Sequence, residues 1–193
     1  MPMEIALERY YGHRLALPQV VAAWLFARER PPALLLAPEE RLRRYRDLLA
    51  FGVPVYVNPG LEAWEERALF VMSYEEALAP FPEDPSAWRL VLEVGRSYPR
   101  GELLDRLLRM GYARDEDYRV LGEVLELGGV RLEFFGEELE RLLVEGEERK
   151  RHVLLPKPGK AEAFTSRKLL HFPGPVYLDT PALAPEEVWS FLR

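Results

Sequence analysis

The chain has 193 residues, 48% of them hydrophobic and 30% charged, enough to bury a real core in one ordinary domain or two small ones. A formal net charge of -6 leaves no electrostatic footprint for gripping nucleic acid through phosphates, and direct binding of DNA or RNA is not expected. With no cysteine, disulfides and thiolate metal sites are excluded, and His13, His152 and His171 are too scattered to form a metal-ligand motif.

The apolar stretch Leu15 to Ala27 is broken by Pro18 and Gln19, is too short to span a bilayer and lacks a basic leader, so no membrane association and a cytoplasmic address are expected. Helical spacing runs from Leu15 to Arg30 and stops at Pro31-Pro32; Ala33 to Ala37 then reads as a buried strand. Pro38 opens a helix over Glu39 to Ala50, whose Glu39/Arg43 and Glu40/Arg44 pairs mark a solvated face. Val53 to Val57 is the next strand, Leu61 to Arg67 a short helix, and Ala68 to Met72 a further buried strand leading into a helix over Ser73 to Ala79. Ser73 and Glu76 have capping-box spacing, which makes Ser73 a cap rather than a nucleophile. This alternation predicts parallel βαβ units.

Pro80, Pro82 and Pro85 interrupt the pattern, and a domain boundary is expected there. Trp88 to Val94 reads as a strand and Gly101 to Met110 as a helix. Alternating residues from Tyr118 to Leu127, the pair Gly128-Gly129 and a second run from Val130 to Phe135 predict a tight hairpin. A two-residue loop at Gly128-Gly129 sets Val130, Leu132 and Phe134 against Leu127, Leu125 and Glu123, and Arg131 and Glu133 against Glu126 and Val124. Strict alternation places Arg119 on the face opposite to Arg131. Glu137, Glu138 and Glu140 read as the start and wet face of a helix following the strand, not as metal ligands. Beyond Pro156 and Pro158, a helix around Ala161 to Leu170, a strand over Pro175 to Leu178 and a helix over Pro185 to Leu192 complete the chain.

Catalytic signatures are absent from the sequence. No G-x-x-x-x-G-K-[ST] run occurs, so the phosphate loop that cradles ATP is missing, and no serine stands near a histidine in a recognisable local signature. Trp24, Trp64 and Trp88 lie in apolar contexts and are expected to pack; Trp189 near the end is a candidate for facing a neighbour. No enzyme activity, cofactor or metal is expected.

Four pieces in order carry a resemblance: Gly111-Tyr112-Ala113-Arg114, Tyr118 to Glu123 (YRVLGE), Val130 to Gly136 (VRLEFFG), and Glu137 to Glu140. The segment from Gly111 to Leu142 resembles the corresponding part of the UvrB family of nucleotide excision repair proteins and of the related N-terminal module of the transcription-repair coupling factors, the Mfd family. The resemblance implies a degenerate RecA-like parallel α/β layer split by an inserted small α+β domain with an antiparallel hairpin: residues 1–87 and 156–193 as the two parts of domain 1, and 88–155 as domain 2. It implies a non-enzymatic docking part that recruits the protein UvrA, while other domains of a full-length parent bind RNA polymerase and drive an ATP-dependent DNA translocase. The residues carried over to the polar docking surface are Arg114, Arg119, Arg131 and Glu133. Leu121 stands where the family usually has an arginine before the glycine, and the loop after Arg114 is shorter than in UvrB. The plainer reading of Arg131 and Glu133 is a cross-strand salt network worth about 0 to 1 kcal/mol. The alternative is a nucleotide- or DNA-binding enzyme fragment derived from UvrB, and a third reading has the docking face covered by another part of the full-length protein.

Overall fold

The protein is described by a computed structural model over residues 3–5, 13–15, 19–159 and 164–192. In chain order its elements are β1 (Met3–Ile5), β2 (His13–Leu15), α1 (Gln19–Phe26), β3 (Ala33–Ala37), α2 (Glu39–Leu49), β4 (Val55–Val57), β5 (Leu69–Ser73), α3 (Tyr74–Ala77), β6 (Pro80–Phe81) and β7 (Leu90–Glu93). There follow α4 (Arg100–Arg109), β8 (Tyr118–Leu121), β9 (Val124–Leu127), β10 (Val130–Phe135), β11 (Glu138–Val144), β12 (Glu147–Arg149), β13 (Arg151–Leu154), β14 (Ser166–Arg167), β15 (Val176–Asp179) and α5 (Glu186–Leu192). The chain divides into two compact units, Met1–Glu83 with Thr165–Arg193, and Asp84–Phe164. The architecture is α/β with a small antiparallel unit inserted into a parallel layer.

In the first unit β15, β3, β5 and β4 lie side by side and parallel, with β2 parallel on the outer side of β15 and β1 antiparallel at the edge. Every residue of β3, β5 and β15 is buried, which is why their sequences ALLLA, LFVMS and VYLD run apolar without alternation: a parallel strand is covered on both faces. On one face Leu35, Val71 and Tyr177 meet Phe26 of α1 and Leu42, Tyr45 and Leu49 of α2. An aromatic group that includes Trp64, Phe70, Phe81 and Phe172 packs together, with ring centroids 4.7–6.4 Å apart.

Ser73 caps α3 as its spacing predicts, its hydroxyl accepting from the Glu76 N–H at 3.0 Å. The reciprocal half of the capping box is replaced. The Ser73 N–H donates to Asn58 Oδ1, and the Glu76 carboxylate turns instead to the buried Lys168 ammonium at 2.9 Å. Several predicted helices are shorter than their spacing implies. Leu15 belongs to β2, residues 16–18 lie outside the described part, and α1 spans Gln19–Phe26; Leu61–Ala63 is a single 3-10 turn where Leu61 to Arg67 reads as a helix. In the predicted helix around Ala161 to Leu170, residues 160–163 lie outside the described part, Ser166–Arg167 is strand and Lys168–His171 a 3-10 turn. Trp64 is buried and Trp88 half-buried against Phe164, but Trp24, expected to pack, is 60% exposed with the Arg28 guanidinium over its ring.

The second unit is a meander, strand order β12-β11-β10-β9-β8, every pair antiparallel. Its inner face buries Tyr118, Leu125, Leu127, Leu132, Phe134, Leu139 and Leu142 against Leu103, Leu107 and Met110 of the α4 region and Leu92 and Leu154 of the β7–β13 ribbon. The hairpin register is the predicted one: Val130 opposes Leu127, Arg131 opposes Glu126, Leu132 opposes Leu125 and Glu133 opposes Val124. Two predictions are corrected here. The run Tyr118 to Leu127 is two strands joined at Gly122-Glu123, where Gly122 takes φ +63°, a conformation that suits a residue without Cβ. Glu138 and Glu140 belong to strand β11, not to a helix.

Candidate docking surface

Because directly opposed residues share a face, the register lays out the outward side of the meander row by row. One row runs Arg119, Glu126, Arg131, Leu143, Glu148; the next runs Leu121, Val124, Glu133, Arg141. Arg119 and Arg131 therefore flank Glu126 on one face, correcting the expectation that they lie on opposite faces. The turn at Gly122-Glu123 is the cause. It reverses the chain between Arg119 and Glu126, so side-chain parity counted along one continuous strand is lost.

The charges on this face are linked in a chain. Arg131 Nη1 donates to Glu126 Oε1 at 2.8 Å, and Arg131 Nε lies 3.5 Å from Glu133 Oε2. Arg141 Nη1 reaches the same Glu133 oxygen at 3.4 Å, while its Nε donates to Glu148 Oε1 at 2.7 Å. Hydrogen bonding and charge from Glu148, then from Glu133, hold the Arg141 guanidinium above its ordinary pKa. All these side chains remain open to solvent: Arg131 is 47% exposed and Arg141 51%.

Arg141 was not foreseen, and the fold explains both its placement and the oversight. Between Glu133 and Phe134 the β10–β11 register shifts, so that Glu133 opposes Arg141 and Phe134 opposes Leu139, with Glu140 as the extra residue. That bulge lets Leu139 and Leu142, three apart in sequence, both point inward and be fully buried. A spacing of three is also a helical one, so the apolar pattern of this segment does not contradict the helix that Glu137, Glu138 and Glu140 suggest.

Arg114 is not on the sheet. It lies in the loop before β8, exposed, its backbone bridged to Tyr118. The loop is tied down by Asp117, which accepts from the Ala113 N–H at 2.7 Å and pairs with Lys157 Nζ at 2.9 Å, and by the Tyr112 hydroxyl donating to the Leu155 carbonyl at 2.6 Å. The Ala113 N–H and then Lys157 pull the Asp117 carboxyl below its ordinary pKa. Neither Arg114 nor Arg119 has an ion pair or side-chain hydrogen bond among the described residues, leaving both guanidiniums uncommitted. Two large apolar side chains share the outward face, Leu121 at 54% and Phe135 at 69% exposure. Phe135 follows Arg131 and Glu133 at the strand period, a signal present in the sequence but not singled out.

In the parallel layer, the polar groups at the carboxyl end of the strands serve one another. The buried Asp179 carboxylate accepts from Tyr45 at 2.5 Å, Arg41 at 2.8 Å and Thr180 at 2.8 Å, and the Tyr74 hydroxyl donates to the Asp179 carbonyl. Burial, joined by the Asp179 hydrogen bond, pushes the Tyr45 hydroxyl far above its ordinary range, and burial does the same to Tyr74. Ser166 and His171, not paired by any local signature, stand 2.7 Å apart. Ser166 is a buried residue of β14, where it pairs with Phe81 of β6. Among the described residues no cluster of three or more metal-ligating side chains forms, and no helix is long and apolar enough to cross a membrane.

Over 73 residues, 32% of this chain and 11% of the relative, the sequence is 41% identical to UvrABC system protein B of Thermus thermophilus. The protein of the same name from Campylobacter jejuni is 33% identical over 87 residues, 35% of this chain and 13% of that one. The one from Fervidobacterium nodosum is 33% identical over 73 residues, 32% and 11% of the two chains. The chain carries a UvrB-like region. It spans between 11% and 13% of the length of these curated relatives. No family model matches the chain.

Proposed function

We propose that this chain is the N-terminal UvrB-like module of a transcription-repair coupling factor, acting in nucleotide excision repair as a docking part that recruits UvrA and performs no chemistry itself. The reading rests on one observation above all. The outward face of the meander presents Arg119, uncommitted, and Arg131 in one row with Glu133 in the next, and the loop before β8 carries a further uncommitted guanidinium at Arg114. Arginine on such a face suits forked pairing with partner carboxylates, and Phe135 and Leu121 supply apolar area beside it. The similarity to proteins named UvrABC system protein B supports a repair context.

That the module binds no ATP is part of the same reading. Ligands of open α/β layers bind in the crevice beyond the carboxyl ends of the strands. Here no phosphate-loop sequence occurs, and Asp179, Tyr45, Arg41 and Tyr74 occupy that end with their own contacts. RNA polymerase and DNA would be contacted by other domains of a full-length parent. Calorimetric titration with UvrA tests the reading, with Arg131→Ala and Arg114→Ala beside the wild type; no detectable binding by the wild-type chain rejects it. The α/β layer itself favours a second reading, a nucleotide- or DNA-binding enzyme fragment. A thermal shift with ATP, or salt-dependent DNA binding, would replace the first reading with the second.

A further inference from the structure

We propose that Arg141 is a positioning residue of this docking face: held against Glu133 by the β11 bulge, it keeps that carboxylate shared and so leaves the Arg131 guanidinium available to a partner carboxylate. The inference rests on the docking reading and adds a residue to it. Glu133 Oε2 lies 3.5 Å from Arg131 and 3.4 Å from Arg141, loosely and almost evenly divided, whereas the outer contacts of the chain, Arg131 to Glu126 and Arg141 to Glu148, are short at 2.8 and 2.7 Å. Each guanidinium is thus anchored at its far side, with Glu133 between them.

Arg131 offers five N–H donors, of which one is engaged at short range. If Arg141 is removed, the nearest cation left to Glu133 is Arg131, with Glu126 already on its other side. One guanidinium then serves two carboxylates, its remaining donors are drawn inward, and an arriving carboxylate meets competition. The bulge at Glu140 makes the arrangement possible, because without it Arg141 could not share the face of Glu133 while Leu139 and Leu142 stay buried.

The experiment is calorimetric titration of UvrA with the full chain and five variants, each first checked for an unchanged thermal transition. Arg141→Ala weakens binding about five- to tenfold, and Arg141→Lys weakens it less. Glu133→Gln alone sets the baseline for the double variant, since Glu133 itself belongs to the docking face. The decisive comparison is Arg141→Ala/Glu133→Gln, which binds as Glu133→Gln alone does, against Arg141→Ala/Glu148→Gln, which has the same net charge but keeps Glu133 in place and binds as weakly as Arg141→Ala. A further loss on adding Arg141→Ala to Glu133→Gln, a recovery of affinity in Arg141→Ala/Glu148→Gln, or an unchanged affinity for Arg141→Ala overturns the positioning role while leaving docking intact. Failure of the wild-type chain to bind UvrA overturns the docking reading and this inference with it.

Discussion

Arg131→Ala separates a docking arginine from a merely structural one, because the two roles predict losses of different size in different assays. Within the chain Arg131 makes one short ion pair, 2.8 Å to Glu126, and one loose one, 3.5 Å to Glu133, between side chains 30–47% exposed. Exposed pairs of this kind contribute about 0.2–1 kcal/mol, screened by salt. For a chain of this size each kcal/mol moves the melting temperature by about 2–4 °C, so truncation should lower it by no more than about 4 °C. A central interface arginine truncated to alanine costs about 2 kcal/mol or more, roughly a thirtyfold loss of affinity. Thermal unfolding followed by circular dichroism and calorimetry with UvrA read the two numbers on the same preparation. A fall in melting temperature beyond about 8 °C would mean that Arg131 holds the sheet together. A loss of affinity below about threefold would mean that the salt network is its whole purpose.

Phe135→Ala should weaken UvrA binding about tenfold or more in the same titration while leaving the urea midpoint unchanged, because the ring is exposed and takes no part in the buried core. Asp179→Ala should cost about 3 kcal/mol in urea unfolding, since Tyr45 and Arg41 are left without the acceptor they surround. The His152 imidazole, partly buried and beside Arg149, has a depressed pKa, so the unfolded chain binds its proton more readily than the folded one. The stability it contributes is complete above the ordinary histidine pKa of about 6.5 and is lost as pH falls through that value towards the folded pKa; His152→Gln should therefore flatten the fall in melting temperature between pH 7 and 5. Asp117 works in the same direction at lower pH: its folded pKa is depressed, so the tie it makes to Ala113 and Lys157 is intact above about pH 4 and fails as pH drops through the folded value. Amide exchange at Ala113, slow at neutral pH relative to the unfolded chain, should lose its protection there.

What could be read from the sequence follows from where its periodicities are unambiguous. The β9–β10 hairpin was legible to the residue because Gly128-Gly129 fixes a two-residue loop, and a period of two then fixes every opposed pair. The buried strands β3, β5 and β15 were legible for the opposite reason, since continuous apolar runs have no phase to mistake. Two phase errors hid the rest of the face. Gly122-Glu123 interrupts a run whose alternation looks continuous on both sides, so a second reversal passed for one long strand and Arg119 was assigned to the wrong side. The bulge at Glu140 adds one residue to β11 and turns a strand period of two into the three that separates Leu139 from Leu142, the spacing of a helix.

Both errors fall at the places that give the surface its character. A turn and a bulge each shift parity by one, and each shift moves an arginine: the first carries Arg119 beside Glu126, the second carries Arg141 beside Glu133. Unshifted, strand pairing alone would leave one arginine, Arg131, between two carboxylates. With both shifts the face alternates in sign across five strands, from Arg119 on β8 to Glu148 on β12, and leaves its first arginine unpaired at the β8 edge. The irregular residues are thus the ones that convert a stable meander into a patterned surface, and a deletion that restores regularity tests the pairing directly. Deleting Glu140 removes the extra residue and leaves Leu139 and Leu142 two positions apart, so both stay inward with Arg141 still opposite Glu133; the expected result is a urea unfolding free energy within about 1 kcal/mol of wild type. A loss of several kcal/mol, of the size of emptying a buried leucine site, would show that Glu140 is not the residue the bulge absorbs, and that the position of Arg141 needs another cause.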